Sequence, residues 1–118
     1  MAVAAPAVSE HDVDGVHVLR VAGDLDLAAA VPLCAHVDAA RDAGHRRLLL
    51  DLSELRFCDS SGLRALMGAV EEVHASAGRV VVVPPGDGAV ARTFALAGAG
   101  ELLPLRPNVA DGVSALRD

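Results

Sequence analysis

"RRLLLDLSELRFCDSSGLRAL", residues 46–66, changes character midway, and that change decides the fold. Leu48, Leu49, Leu50 and Leu52 form a nearly continuous apolar run, the pattern of a strand covered on both faces. From Leu63 onward the spacing differs: Leu63, Leu66, Met67, Val70, Val73 and Ala77 recur three and four apart. That is one face of an amphipathic helix, with Gly78 expected at its C-cap. "RVVVV", residues 79–83, repeats the buried-strand pattern, and Pro84–Pro85–Gly86 ends it. A strand, a helix and a second strand in this order predict parallel pairing through a right-handed crossover.

The flanks extend the alternation. Upstream, Asp14–Gly15 separates "AVSEHDV" from "VHVLRVAG", which predicts a hairpin with strands near residues 6–12 and 16–22. After "GDLD" comes an alanine-rich segment containing Pro32. Proline is tolerated in a first helical turn, so a helix is predicted from about Ala29 to Asp42, before Gly44. Downstream, a helix is predicted from about Asp87 to Ala97, closed by Gly98, then a short strand near Leu102–Leu105. Asn108 is placed to cap a last helix reaching Leu116. The chain reads as one α/β domain over residues 1–118, with its core at about 6–116 and no internal repeat or linker.

Composition narrows the function. More than half of the 118 residues are hydrophobic, enough for a real core, yet Trp and Tyr are absent and Phe57 and Phe94 are the two aromatic residues. The net charge is −6, and every basic residue is a scattered arginine. Without a basic stripe or stacking aromatics, nucleic-acid binding has no footing, and an acidic surface disfavours anionic membranes. Cys34 and Cys58 are too few for a disulfide scaffold and are expected to be reduced. "MAVAAPAVSEHD" lacks a basic start and is interrupted by Pro6 and Glu10, so no signal peptide is expected. No apolar segment approaches the about 20 residues of a membrane helix. A cytoplasmic location is the expectation.

The chemistry centres on "CDSSG", residues 58–62. A hydrolase elbow needs glycines two before and two after the nucleophile, and neither Ser60 nor Ser61 has them. "PPGDGAVARTF", residues 84–94, lacks the lysine of a phosphate-binding loop. Histidines 11, 17, 36, 45 and 74 and the cysteines are dispersed, with no zinc-ligand spacing; His17 and His74 are read as structural. No catalytic residue, metal or cofactor is expected. Capping and phosphorylation both remain. Ser60 or Ser61 would satisfy free amides at the helix start, most naturally Ser61, and Asp59 suits the positive end of the dipole. A cap, however, needs one such residue, and this stretch offers three, then a glycine that gives clearance. A phosphoserine would add about −1.5 to −2 charges at a helix N-terminus, where negative charge is tolerated.

"VAGDLDLAAA", "LLLDLSELRFCDSSGLRAL" and "GRVVVVPPGDGAVARTFALAGAGELLPL" together resemble the STAS-domain family, specifically its anti-sigma factor antagonists. The resemblance covers about Val8 to Leu116. It implies a mixed, mostly parallel sheet of about five strands with about four helices. It also implies that the first serine after the aspartate, Ser60, is phosphorylated by an anti-sigma factor that is a serine kinase. On this reading the unmodified form binds that partner and frees the sigma factor, and a metal-dependent phosphatase restores it. Asp24 and Asp26 match the family's acidic positions; with Asp59, Ser61, Gly62 and Arg64 they are expected to shape the partner surface. Arg64 departs from an uncharged residue seen in some members. The rival readings are a STAS scaffold or accessory subunit of a stress-sensing or lipid-transport system, and a small nucleotide-binding protein using residues 84–94.

Overall fold

The computed structural model describes residues 7–96 and 103–117. Strands β1 (Ala7–Val13) and β2 (Val16–Leu25) form the antiparallel hairpin expected from Asp-Gly. Asp14 (φ 51°) and Gly15 (φ 82°) both lie in the left-handed region, as the mirror-image turn favoured by the strand twist requires. Helix α1 (Leu27–Asp42) starts two residues before the predicted position, because Asp26 caps it. The Asp26 carboxylate accepts the Ala29 N–H at 2.8 Å. Pro32 therefore lies inside the helix rather than in its first turn. The lost donor is tolerated because Ala29, Ala30, Leu33, Val37 and Ala40 bury the same helix against the sheet.

The order continues through β3 (Arg47–Cys58), α2 (Ser60–Ala75), β4 (Arg79–Val83), α3 (Gly88–Leu96) and α4 (Val109–Arg117). The sheet runs β1-β2-β3-β4, with β2–β3 and β3–β4 parallel. The central strands divide their side chains between two cores. Leu48, Leu50 and Leu52 join Leu19, Val21 and Val82 beneath α1, α2 and α3. Leu49 points the other way, with Val16, Val18, Val81 and Val83, against Val113 and Leu116 of α4. Each fully buried leucine contributes roughly 2 kcal/mol. Gly112 lets α4 lie this close, since a Cβ there would stand 2.6 Å from Leu49 Cδ1. Arg79 holds the far end of α4, donating to the carbonyls of Ala115 (2.8 Å) and Leu116 (3.1 Å).

Two further expectations change. Helix α2 is not closed by Gly78 itself: Ala77 takes the left-handed conformation (φ 63°), and Ser76 is the cap. The N–H of Ala77 donates to His74 O and that of Gly78 to Val73 O, a Schellman closure. Gly78 is glycine for a different reason, because a Cβ would meet Val73 Cγ1 at 2.9 Å. The strand expected near 102–105 reduces, among the described residues, to one parallel bridge between Val82 and Leu105. Pro104 has no N–H to extend the ladder, so the described sheet has four strands rather than five. The Gly98 stop expected after α3 lies outside the described residues. Asn108 caps α4 as expected, its Oδ1 accepting the Asp111 N–H at 2.8 Å.

Candidate functional site

β2 and β3 run parallel and end side by side, with Leu25 paired to Cys58. Each then leads through a single aspartate into a helix, so the N-termini of α1 and α2 emerge at the same end of the sheet. The two starts are built alike. Asp26 accepts the Ala29 N–H, and Asp59 accepts the Gly62 N–H at 2.7 Å. The Asp59 N–H donates to Leu25 O at 3.3 Å, tying the second start to the first.

The pairing of β2 with β3 is irregular on the approach. β3 carries an extra residue between the partners of Arg20 and Ala22, and again between those of Gly23 and Asp24. The buried Asp51 carboxylate steadies the first irregularity, accepting Ser53 N–H (3.1 Å) and Ser53 Oγ–H (2.7 Å). At the second, Gly23 has φ 99°, a conformation that explains the glycine of "GDLD". Asp24 is thereby set opposite Phe57, half-buried at the sheet end with Asp26 and Asp59.

Ser60 and Ser61 are the first two residues of α2, and both are exposed. The capping role expected of Ser61 belongs to Asp59, so neither serine hydroxyl is held by a hydrogen bond among the described residues. Arg64 is also exposed, one turn along. Gly62 corrects the expectation of a surface residue: it is buried, and a Cβ would stand 2.2 Å from Leu25 O. Its clearance serves the strand end beneath it, locking α2 onto β2.

Three residues beside this end escaped the sequence reading. Leu27 (62% exposed), Val31 (67%) and Phe57 (48%) present apolar side chains to solvent. Leu27 and Val31 line an open groove between α1 and α2 with Cys34, Ala35 and Ala65. The signal was available, since Leu27 and Val31 are spaced i,i+4 off the buried stripe of α1. The alanine-rich context blurred which face was the core. Cys58, just before the serines, is buried; burial first, and then the Asp59 charge, push its thiol up to about 11. It is a packing residue rather than a nucleophile.

A family model described as "Mlab, STAS domain" matches residues 8–105. An anti-sigma F factor antagonist of Lysinibacillus sphaericus is 35% identical over 69 residues, 58% of this chain. The match spans 59% of that relative's length. The crystal structure of an anti-sigma factor antagonist from Mycobacterium paratuberculosis superposes with a TM-score of 0.83 at 31% identity, covering 96% of this chain and 95% of that one. The antagonist SpoIIAA of Bacillus, in its unphosphorylated form, superposes with a TM-score of 0.69 at 23% identity, covering 94% and 98%. At that identity the likeness speaks for the fold. The chain belongs to the STAS-domain family, among relatives named anti-sigma factor antagonists.

Proposed function

We propose that this chain is an anti-sigma factor antagonist switched at Ser60. In this reading the unphosphorylated form binds an anti-sigma factor that is also a serine kinase, and the sigma factor is released. Phosphorylation of Ser60 ends the binding, and a metal-dependent serine phosphatase restores it. The chain is substrate and binding partner, not catalyst. The observation that carries the reading is the division of labour at the start of α2: Asp59 supplies the cap, leaving the two serine hydroxyls exposed and unengaged. Ser60 is preferred over Ser61 as the first serine after the aspartate.

The physics of the switch follows from the surroundings. Leu27 and Val31 follow Asp26, while Phe57 pairs with Asp24 and precedes Cys58 and Asp59, so exposed apolar and acidic residues share this end of the sheet, the composition of a partner surface. A phosphate on Ser60 sits at the N-terminus of α2, where the dipole tolerates it, so the fold survives. The partner then meets a dianion among three carboxylates, and like-charge juxtaposition costs several kcal/mol. No helix of the described residues is long and apolar enough to cross a membrane.

Affinity capture with mass spectrometry tests this, reading both the partner's identity and Ser60 occupancy. Ser60→Ala is expected to keep partner binding and to resist switching off; Ser60→Asp is expected to weaken binding by about tenfold or more. Stoichiometric phosphorylation of Ser60→Ala by the captured kinase would move the site to Ser61. Clean recovery of transport-system subunits, or of a very large stress-sensing particle, would replace the antagonist reading altogether.

A further inference from the structure

The opposite end of the sheet carries a second polar cluster that the proposed switch leaves unused. Asp12 of β1 and His17 of β2 are direct cross-strand partners, one rung from the Asp14–Gly15 turn. Asp12 Oδ1 lies 2.8 Å from His17 Nδ1, and the His17 side chain is buried. His45 arrives from the loop before β3. Gly44 (φ 94°) turns the chain there, and the His45 N–H donates to Ala40 O at 3.0 Å. Its ring stacks on His17, centroids 4.0 Å apart and planes 20° from parallel. Asp12, His17 and His45 each bring a ligand atom within 4.8 Å of the others.

A second layer stands behind the first. His17 Nε2 faces Glu10 Oε1 at 2.7 Å, while Glu10 Oε2 reaches His36 Nδ1 of α1 at 2.8 Å. One nitrogen of His17 is thus directed at the Asp12 side, and the other is held by a carboxylate that is itself held in place. This is the carboxylate–histidine arrangement that orients imidazole ligands around metals.

The geometry points to a binding site for a transition-series divalent cation, Zn2+ by chemistry, with Asp12, His17 and His45 as ligands and Glu10 orienting His17. Ion pairing and hydrogen bonding account for Glu10, Asp12 and His17, whereas among the described residues neither ring nitrogen of His45 has a hydrogen-bond partner. A cation between the three donor atoms engages all of them. Two imidazole nitrogens and one carboxylate suit Zn2+ or a neighbour in the series; Mg2+ and Ca2+ take oxygen donors. Tetrahedral bonds of about 2.0–2.2 Å place ligand atoms about 3.3–3.5 Å apart. The Asp12–His17 contact therefore opens slightly, and the His45 ring turns out of its stack on His17 so that an in-plane lone pair meets the ion. Both changes fall on side chains that can move, since Asp12 is exposed and His45 half-exposed, while His17 stays fixed by Glu10. A tetrahedral ion held by these three residues would take its fourth ligand from water. The ion would tie the β1–β2 hairpin to the loop before β3, at the end remote from the serines, so the site stands or falls independently of the switch.

The test uses the full chain, stripped with a chelator and titrated with Zn2+ alone by calorimetry, with native mass spectrometry for stoichiometry. One Zn2+ per chain is expected, with Kd on the order of 1 μM or tighter and a Tm that rises with Zn2+ concentration. Asp12→Asn and His45→Ala should each weaken binding by about tenfold or more, with metal-free circular dichroism unchanged. His74→Gln and Cys34→Ser should bind as the parent does. Wild-type affinity in His45→Ala, loss of binding in Cys34→Ser, one Zn2+ shared by two chains, or no saturable binding would each overturn the assignment.

Discussion

The two ends of the sheet use the same polar residue types to opposite effect. At the serine end, Asp26 and Asp59 spend their carboxylates on backbone N–H groups, so the neighbouring hydroxyls are left free. At the histidine end, Asp12 and Glu10 spend theirs on side chains, and the polar groups close on one another. The first arrangement presents groups to be modified or bound. The second holds groups in fixed relation and presents little until something displaces a proton. Whether an aspartate faces main chain or side chain decides which kind of site forms around it.

The largest expected effect tests how firmly the serine end is tied to the strands. Gly62→Ala forces a Cβ to within van der Waals overlap of Leu25 O, and backbone must shift. A loss of about 3 kcal/mol is expected by urea denaturation, the upper part of the overpacking range. If Gly62→Ala is neutral, the two helix starts are not locked together. Next, Asp59→Ala removes the cap and should cost about 1 kcal/mol. With Asp59 gone, Ser60 or Ser61 becomes the nearest side chain able to cap α2, so the loss should fall short of that for an uncapped helix.

Two smaller changes strike the other end. Ala77 closes α2 in a left-handed conformation that glycine adopts without strain. Ala77→Gly should therefore stabilise the fold by up to about 1 kcal/mol, in contrast to Gly62→Ala at the opposite terminus of the same helix. His17→Gln probes the closed network through pH. Burial opposes the His17 charge, but hydrogen bonds with Glu10 and then Asp12 outweigh it and raise its pKa. Its contribution is thus complete below the ordinary histidine value and is lost as pH rises through the raised one. Hydrogen bonds with His17, and then His36, lower the Glu10 carboxyl, whose contribution is lost as pH falls through that lowered value. In metal-free buffer, the stability gap between parent and His17→Gln should be widest near about pH 5.5 and narrower near about pH 8.5.

The fold was legible where the determining signal is local. Asp14–Gly15 specifies its turn almost alone, and the run Leu48–Leu50 announces a strand with two covered faces. Cap assignment failed at "CDSSG" because Asp, Ser and Ser are all good caps. Which one acts depends on where β3 ends, and that is set by pairing with β2. The apolar "LLPL" reads as a short fifth strand, and among the described residues it makes one bridge, since Pro104 lacks the N–H to lengthen it. The histidine cluster could not be read from spacing at all. Its members come from β1, β2, α1 and a loop, brought together only by the crossover. Asp59 and Ser60 stand out in "CDSSG" itself, whereas Asp24 and Asp26 are picked out by resemblance to a family. The i,i+4 spacing of Leu27 and Val31 carries their exposure in the sequence, but the surrounding alanines hide which face of α1 is the core.

The hydrogen bond from Asp59 to Leu25 O and the glycine pressed against that same carbonyl also bear on assembly order. Leu25 and Cys58 pair across the whole of α1, so the parallel pair closes at a loop-entropy cost that a hairpin avoids. The serine end therefore exists only where β2 and β3 are paired. A short peptide spanning residues 56–66 would contain both hydroxyls yet lack the carbonyl, the neighbouring helix start and Asp24 and Asp26. A kinase that recognises the assembled end would read it as a certificate of completed folding, marking native chains and passing over nascent ones.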